Sequence, residues 1–408
     1  MSKTFAAMPT YAAYKDSGVE WKSFPLCAVT SPKSLKNNQN LELLSVYLNL
    51  GVIRFSEVNE KRTNATSEDL SNYQEVAVGD FVLNNQQAWR GSVGVSKYNG
   101  IVSPAYLVLS LSPLIDVGFA NYYFRDGAMV SQYLICSKGV GTIQRNLYWQ
   151  QLKRSVVTIP PLPEQKAIAD FLDKKTSLID EAISVKAQQI ELLKERKQIL
   201  IQNAVTQGLN PDAPKRDSGV EWIGDIPAHW KVKRLKYLAK IHNGLDYKKV
   251  HAETGYPVIG SGGQFTYANS YLHDGEAVLL GRKGTINKPL YINERFWTVD
   301  TMFYAICNRL AKTKFVYFSA KIIPFGYYST STALPSMTQF DLLNHPFFIP
   351  PMSEQTAIVA HIETQSSKID QAIALNQQQI EKLKEYKTTL INSAVTGKIK
   401  VVDSSEGE

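Results

Sequence analysis

The chain contains one long segment twice. Residues 159–183 read IPPLPEQKAIADFLDKKTSLIDEAI, and residues 349–373 read IPPMSEQTAIVAHIETQSSKIDQAI. Aligned without a gap, residues 159–206 and 349–396 are identical at 25 of 48 positions. Each copy opens on a Pro-Pro pair, continues in residues that favour helix, and ends at a glycine, Gly208 or Gly397. The repeat predicts two helices of about 40 residues, each roughly 60 Å long.

Apolar residues in each copy follow a 4-3 alternation, sustained over more than four heptads, which is typical of a coiled-coil seam. The alternative, two ordinary amphipathic helices on separate domains, fits the length and the matched polar positions less well. The polar positions are Thr176, Lys186 and Lys197, repeated as Ser366, Asn376 and Lys387. The predicted seam residues are Leu172, Ile179, Ile183, Lys186, Ile190, Leu193 and Leu200 in the first copy, and Ile362, Ile369, Ile373, Asn376, Ile380, Leu383 and Leu390 in the second.

Two further expectations follow from the helices. If they run antiparallel, Lys186 and Asn376 lie near each other beside a pseudo-twofold axis, where a polar pair can fix register; the alternative is that each extends to solvent. The apolar residues Ile168, Phe171 and Ile358 flank the seam and are expected to be exposed, seeking a partner subunit.

Length and composition predict a multi-domain cytoplasmic protein. The chain has 408 residues, more than one hydrophobic core usually supports, and no apolar run of membrane-spanning length. Its first residues lack the apolar core of a secretory signal. Cys27, Cys136 and Cys307 are widely spaced and odd in number, so they predict buried free thiols rather than disulfides or a zinc site.

The basic charge lies outside the repeats. Net charge is +8, and Lys plus Arg exceed Asp plus Glu by 15 to 11 in residues 1–158 and by 17 to 11 in residues 209–348. The two repeats are nearly neutral. This distribution favours a polyanionic partner for the segments outside the helices.

The order of segments is globular, helix, globular, helix. DSGVEW precedes each globular segment, at residues 16–21 and 217–222, and a Pro/Gly-containing linker occupies residues 206–219. The predicted domains are a first globular domain (1–158), a central repeat helix (159–208), a second globular domain (209–348), a distal repeat helix (349–397) and a polar tail (398–408).

Each globular segment contains a strand signal that leads into a polar turn. The strands are GDFVL, residues 79–83, and GEAVL, residues 275–279. Asn, Gln and Arg on such turns suit DNA, because amides pair with adenine and guanidinium with guanine in the major groove. A solvated loop is the alternative; for GSGGQFTY, residues 260–267, a tight turn is preferred to a nucleotide site. The predicted DNA-binding residues are Asn84, Asn85, Gln86, Gln87, Trp89, Arg90, Ser92, Ser261, Gln264, Tyr267, Arg282, Lys283, Thr285, Asn287 and Lys288.

Motifs for catalysis are missing. The sequence has no amino-methyltransferase tetrapeptide, no Walker motif and no HxH or HExxH pair. We therefore predict no catalytic residue and no metal ligand, with chemistry carried out by partner subunits.

The chain resembles the specificity subunit of type I restriction-modification systems, HsdS. The resemblance rests on the duplicated PPxxEQxxI helix, the DSGVEW lead-ins, AWRGSVGVSKYNGIVSPAYLVL and GRKGTINKPLYINERFWTVDTMFY. After the lead-in the second half continues in the pattern usual for that family, IGDIPAHWKVKRLKYL, whereas the first half reads KSFPLCAVTSPKSL.

The resemblance implies an α+β fold with a pseudo-twofold internal repeat: two globular target-recognition domains separated by two long antiparallel coiled-coil helices. It implies that each domain reads half of a bipartite, asymmetric site in double-stranded DNA. Two methyltransferase subunits and two restriction (translocase) subunits would be the protein partners, with no membrane. S-adenosylmethionine, ATP and Mg would be bound by those partners and none by this chain.

Two alternatives remain. A coiled-coil assembly protein with basic lobes would bind nucleic acid without sequence preference, and competition by unrelated duplex would distinguish it. An enzyme with a nuclease site would depend on PDAPK, residues 211–215, which lies in the linker and lacks a second acid on a strand.

Overall fold

The structure is a computed structural model and describes residues 20–36, 38, 40–48, 50–57, 69–139, 145–328 and 335–401. Residues 16–19 of the first lead-in and residues 402–408 of the predicted tail lie outside these ranges.

The first half of the chain is strand-rich and ends in a long helix. Its strands are β1 (Lys22–Pro25), β2 (Thr30–Lys33), β3 (Leu44–Tyr47), β4 (Gly51–Arg54), β5 (Gln74–Val76), β6 (Phe81–Asn84), β7 (Val93–Val95), β8 (Gly100–Val102), β9 (Tyr106–Leu111), β10 (Ser137–Lys138), β11 (Asn146–Leu147) and β12 (Val156–Ile159). Its helices are α1 (Leu26–Val29), α2 (Val117–Tyr123), α3 (Gly127–Ile135), α4 (Trp149–Leu152) and the long α5 (Leu162–Gln207).

The second half repeats this plan. Its strands are β13 (Lys215–Asp217), β14 (Asp225–Pro227), β15 (Lys231–Arg234), β16 (Ala239–Asn243), β17 (His251–Ala252), β18 (Tyr256–Gly260), β19 (Gly263–Ala268), β20 (His273–Gly281), β21 (Leu290–Thr298), β22 (Met302–Cys307) and β23 (Pro346–Ile349). Its helices are α6 (Thr313–Ala320), α7 (Phe325–Tyr328), α8 (Gln339–Asn344) and the long α9 (Met352–Val395). The predicted α+β class and both long helices are confirmed.

Two compact units share the long helices. Unit 1 comprises Met1–Val185 and Gln379–Glu408, and unit 2 comprises Lys186–Gln378. Each unit therefore contains one half of α5, one half of α9 and one globular lobe. We call the globular parts lobe 1 (in unit 1) and lobe 2 (in unit 2).

Lobe 1 is built on a four-stranded antiparallel sheet in the order β2-β9-β6-β7. Strand β6 is buried along Phe81, Val82 and Leu83 because it lies inside the sheet. Phe81 stacks on Phe124 at 4.4 Å between ring centroids, which joins the sheet to the segment after α2. The same core includes Leu390 of α9.

Lobe 2 is built on a seven-stranded sheet in the order β16-β22-β20-β21-β18-β19-β17. Its pairings are antiparallel except for β18 with β21, where Val258 is level with Trp297. Helix α6 covers the sheet with Phe315 and Val316 in the same core as Ile362 of α9.

Inside each unit the two helices run antiparallel. In unit 1 the Lys387 ammonium lies 2.6 Å from an Asp180 carboxylate oxygen, and in unit 2 Lys197 lies 2.6 Å from Asp370. Lys197 and Lys387 are repeat equivalents, and both are polar positions of the predicted seam. Each keeps its stem in the seam while its charge reaches the neighbouring helix. All predicted seam residues are buried or half-buried, as a seam between the two helices requires.

The expected Lys186–Asn376 pair is wrong. Counting from the Lys197–Asp370 ion pair, Asn376 is level with Glu191 and beside Ile190, five residues from the level of Lys186. Five residues are about 7.5 Å along a helix axis. No hydrogen bond of either side chain occurs among the described residues. The repeat makes Lys186 and Asn376 equivalent positions of the two helices. In an antiparallel pair, however, equivalent residues face each other only where the pseudo-twofold axis crosses the helices.

The duplicated Glu-Gln pair explains how each long helix is attached to its lobe. The amide of Gln165 accepts from the Asp116 backbone N–H and donates to the carbonyl oxygens of Leu114 and Pro160. Gln355 makes the same three bonds, with Lys312, Leu310 and Pro350. Both glutamines are 1% exposed. Each therefore bonds one carbonyl just before its long helix and two backbone groups of the lobe, which ties the helix start to the lobe.

The glutamates of these pairs each bind a tryptophan that immediately precedes the strand paired with the last strand of its lobe, β1 with β12 and β15 with β23. The indole Nε1 of Trp21 donates to Glu164, and that of Trp230 donates to Glu354. The six-membered ring of each indole packs against the glycine that ends the other long helix: Gly397 after α9 for Trp21, and Gly208 after α5 for Trp230. We call each Trp-Glu-Gly group a latch.

The latches correct the predicted equivalence of the DSGVEW lead-ins. Trp21 takes the structural place of Trp230, although the lead-in repeat aligns it with Trp222. The first half thus proceeds from its lead-in directly into β1, whereas the second inserts IGDIPAHW before β15. This explains the departure seen after residue 21.

Two other expectations are corrected: the exposure of three apolar helix residues is wrong, and the three cysteines are free as predicted but not all buried. Ile168 and Ile358 are at most 2% exposed and Phe171 is half-buried, because the first turns of each long helix are covered by their own lobe. Cys27 is exposed, whereas Cys136 is buried and Cys307 half-buried.

Candidate nucleic-acid interface

In lobe 1 the predicted polar turn follows β6. The Asn84 carboxamide oxygen accepts from the backbone N–H of Gln86, and the Trp89 indole donates to the carbonyl of Gln86. These bonds hold the turn in one conformation. Gln86 and Arg90 are exposed, while Asn84, Asn85, Gln87 and Trp89 are half-buried. The turn therefore presents amides and a guanidinium from a fixed backbone.

Trp89 is flanked by two guanidinium groups. The Arg90 Cζ lies 4.6 Å from its ring centroid and the Arg145 Cζ 5.7 Å. Arg145 comes from the segment before β11, which is held beside the turn by a bond from Leu147 N–H to the Asn85 carbonyl. Its Nε has no hydrogen-bond partner among the described residues. Sequence reasoning missed Arg145 because nothing local relates it to the turn.

Ser92 does not belong to this surface. It is 5% exposed, and its hydroxyl donates to the Val46 carbonyl at 2.8 Å. The backbone turns inward there, since Ser92 immediately precedes β7 and Gly91 adopts φ +99°. The hydroxyl is therefore used internally.

In lobe 2 the predicted polar turn follows β20. All five predicted residues of this turn, Arg282, Lys283, Thr285, Asn287 and Lys288, are exposed. The turn is anchored by backbone bonds from Arg282 to Thr301 and from Gly284 to Pro335. Its side chains thus extend from a backbone tied to two neighbouring segments.

The glycine-rich stretch of lobe 2 is a tight turn, as predicted. It joins β18 to β19, with Gly263 at φ +104°. Gln264 and Tyr267 are exposed and Ser261 half-buried. The Ile259 carbonyl accepts from the Thr298 hydroxyl, and the Asp300 carbonyl accepts from the Arg282 guanidinium. Both turns therefore flank residues 298–301 at one end of the sheet.

A cleft of about 440 Å³ opens beside Arg282 and Lys283. Sequence reasoning missed its other polar residues, Asn243, Ser336, Thr338 and Gln339, because they come from two other stretches of chain, at residue 243 and at residues 336–339. The Gln339 amide nitrogen donates to the Ile241 carbonyl at 3.1 Å, which ties this side chain to β16. Donors and acceptors of this kind can bind base edges, and the cations can bind phosphates.

Comparison with known proteins identifies the family. The family model described as the type I restriction modification DNA specificity domain matches residues 26–193 and again residues 227–385. The chain belongs to this family. The two matches each contain one lobe and most of the long helix that follows it.

Relatives of this type I specificity family agree with the match. The type I restriction enzyme MjaX specificity subunit of Methanocaldococcus jannaschii is 24% identical over 365 residues, which are 82% of this chain and 81% of that protein. The EcoDI specificity subunit of Escherichia coli is 26% identical over 182 residues, 43% of this chain and 40% of that protein. The resemblance drawn from the duplicated helix is confirmed.

Two solved structures show the same fold. A chain from a structure of complex assembly and conformational transition in a type I R-M system has a TM-score of 0.72 at 14% identity, covering 93% of this chain and 98% of that one. The HsdS subunit of Thermoanaerobacter tengcongensis has a TM-score of 0.56 at 15% identity, covering 93% and 97%. Among the described helices of the present chain, none is long and apolar enough to cross a membrane.

Proposed function

We propose that this member of the specificity family reads a bipartite, asymmetric site in double-stranded DNA, one half with each lobe. The observation that carries the proposal is that two lobes of matching plan present different polar turns. In lobe 1 the turn offers amides and a tryptophan between two arginines; in lobe 2 it offers Arg282, Lys283 and a polar cleft. Unlike surfaces read unlike sequences, so the two half-sites differ.

Exposed apolar side chains on the long helices support docking of two methyltransferase subunits. Unit 1 exposes Leu178, Val185 and Tyr386, each at 45% or more, and unit 2 exposes Leu192, Ile199 and Leu375, each at 49% or more. Four of these residues belong to α5 and recur every seven residues, so they share one face of that helix: Leu178, Val185, Leu192 and Ile199. In unit 2, counting from the Lys197–Asp370 pair, Leu192 is level with Leu375. We call these two sets the docking triads.

The triads fit a protein partner better than DNA. Apolar side chains that face water on a helix contribute nothing to its own seam, and such patches mark interaction sites. We propose that each triad binds one methyltransferase subunit and that restriction subunits join the resulting complex. In this proposal the chain has no catalytic role and binds no cofactor; S-adenosylmethionine, ATP and Mg are bound by the partners.

Methylation mapping tests the proposal directly. The full chain is co-expressed with a type I methyltransferase subunit, and adenine methylation is mapped across the host DNA. The expected result is one split motif whose halves differ. Methylation without a motif, or binding that unrelated duplex competes away as well as the mapped site, would show a nucleic-acid-binding assembly protein instead.

A further inference from the structure

A second group of cations lies on different elements of lobe 2. Lys231, Lys233 and Arg234 of β15, with Arg216 of β13, line an open cleft of about 630 Å³. We call it the basic cleft. None of these four residues contributes to the polar turn or to the cleft beside Arg282.

The strand pattern explains why Lys231 and Lys233 share one surface, and Arg234 lines the cleft from the end of the same strand. Strand β15 pairs with β23, and Val232 packs against the lobe 2 core. Because successive side chains of a strand point to opposite faces, Lys231 and Lys233 both lie on the face away from Val232. Arg216 is fixed at the edge by bonds from its guanidinium to the carbonyl oxygens of Trp230, at 2.8 Å, and Ala228, at 3.2 Å.

These charges are not neutralised by the protein. Among the described residues, no carboxylate lies within ion-pair distance of Arg216, Lys231, Lys233 or Arg234. Arg234 reaches only the neutral amide oxygen of Asn344, at 3.4 Å. Like charges gathered in one cleft repel each other, so a bound polyanion stabilises them.

Lobe 1 lacks the basic cleft at the same register. Strand β1 pairs with β12 as β15 pairs with β23, and Lys22, Phe24 and Pro25 take the places of Lys231, Lys233 and Arg234. Two of the three cations are therefore absent. The feature belongs to lobe 2 and does not arise from the shared fold.

We propose that the basic cleft binds the phosphate backbone of the DNA, so that lobe 2 holds the duplex by charge as well as by base contacts. The proposal rests on the DNA-reading function above. Lysine supplies a compact point charge and no paired donor–acceptor edge, so it contributes affinity without sequence preference. An acidic protein surface is the other polyanion, but of the described residues that line the cleft, only Tyr237 is a large exposed side chain of the kind that anchors protein interfaces.

The test compares the triple variant Lys231→Gln, Lys233→Gln, Arg234→Gln with the matched control Lys22→Gln from lobe 1. Each full-length chain is assembled with its methyltransferase subunit, and Kd is measured over a range of salt concentrations for the mapped site and for an unrelated duplex. If all three residues contact phosphates, the slope of log affinity against log salt falls by about 2–3, since each contact contributes about 0.9. The fall should be equal on both duplexes, the methylated motif should not change, and the control should keep the wild-type slope.

Other results overturn the proposal. Failed assembly of the triple variant would show that the cleft docks a protein, and an unchanged slope with normal assembly would show a solvated patch. A changed motif would show base reading. If the wild-type complex does not distinguish the mapped site from unrelated duplex, the DNA-reading function fails while the slope comparison still reports on the cleft.

Discussion

At the scale of single residues, His345 makes the stability of lobe 2 depend on pH. It is 2% exposed, its Nδ1 lies 2.8 Å from the Tyr328 hydroxyl, and the Trp222 ring stacks on it. Burial lowers the pKa of His345 from 6.5 to about 4. The unfolded chain binds a proton at this histidine near its ordinary pKa, whereas the folded chain binds it only at lower pH. The free energy of unfolding therefore falls as pH falls from 6.5 towards 4.

We expect His345→Phe to weaken this pH dependence. One pKa unit is about 1.4 kcal/mol, so lowering the pH to about 5 should cost wild-type unit 2 roughly 2 kcal/mol that the variant does not lose. Urea unfolding of both chains near neutral pH and at about pH 5 gives the two differences. Equal losses in wild type and variant would mean that His345 does not control this response.

The two exposed arginines of the polar turns give a second test at this scale. If Arg90 or Arg282 reads guanine, its replacement by alanine should cost ~1–3 kcal/mol of specific binding and relax one position of the methylated motif. If the side chain contacts only phosphate, binding weakens evenly on all sequences. Ser92→Ala is the control in lobe 1, because the Ser92 hydroxyl is bonded inside the lobe. Unchanged affinity and motif would remove that arginine from the reading surface.

At the scale of elements, the latches determine where each long helix ends. Gly208 and Gly397 have φ of +73° and +68°, which glycine adopts without strain. An added Cβ would also lie 3.1 Å from the Trp230 or Trp21 ring. Gly219 has φ +72° with nothing within 4 Å of its Cβ position, so it provides a control that carries the backbone strain alone.

We expect Gly208→Ala and Gly397→Ala to destabilise their units by more than Gly219→Ala does. The left-handed backbone should cost all three variants about 1–2 kcal/mol, and the latch variants should lose more because the indole must shift. Thermal unfolding monitored by tryptophan fluorescence measures the difference. Three equal losses would show that the latch glycine is needed only for its φ.

The helix register permits a crosslinking test in unit 2. Leu193 and Ile373 are seam residues within one residue of the same level, whereas Lys186 and Asn376 are five residues apart in level. A disulfide requires Cα atoms about 4.4–6.8 Å apart. Leu193→Cys with Ile373→Cys should therefore close an intrachain disulfide, seen by mass spectrometry at any chain concentration. Lys186→Cys with Asn376→Cys should stay reduced; the opposite pattern would show a different register.

The periodic apolar pattern of the two helices explains how much of the fold could be predicted from the sequence. The seam and both helix ends follow from spacing and from Pro160, Pro350 and the two glycines, all of which are local signals. The latches and the polar turns do not follow from local signals. Trp21 packs against Gly397, and Arg145 lies beside Trp89, only in the folded chain. Ser92 cannot be told from its exposed neighbours in the sequence, although the fold buries it. The lead-in repeat misled because eight inserted residues change which tryptophan immediately precedes the equivalent strands, β1 and β15.

At the scale of the whole molecule, the two helix copies have diverged at the exposed positions that form the proposed docking triads. The repeat supplies matched substitutions for testing them. Leu178 and Leu192 are exposed triad members whose repeat counterparts, Lys368 and Lys382, are lysines. Replacing either leucine by lysine therefore introduces a residue that the same heptad position already tolerates in the other copy. Gln188→Lys adds the same charge at another exposed position of α5 and is the control.

We expect each leucine variant to lose one methyltransferase subunit, because Leu178→Lys alters only the unit 1 triad and Leu192→Lys only the unit 2 triad. An apolar side chain that is buried at an interface contributes roughly 1.5–3 kcal/mol, and a lysine there adds an unpaired charge. Native mass spectrometry at limiting concentration should give two subunits for wild type and Gln188→Lys, one for each single variant, and none for the double variant. Two subunits retained by the double variant would show that docking uses another surface, whereas loss of both subunits from a single variant would show that the second copy binds only after the first.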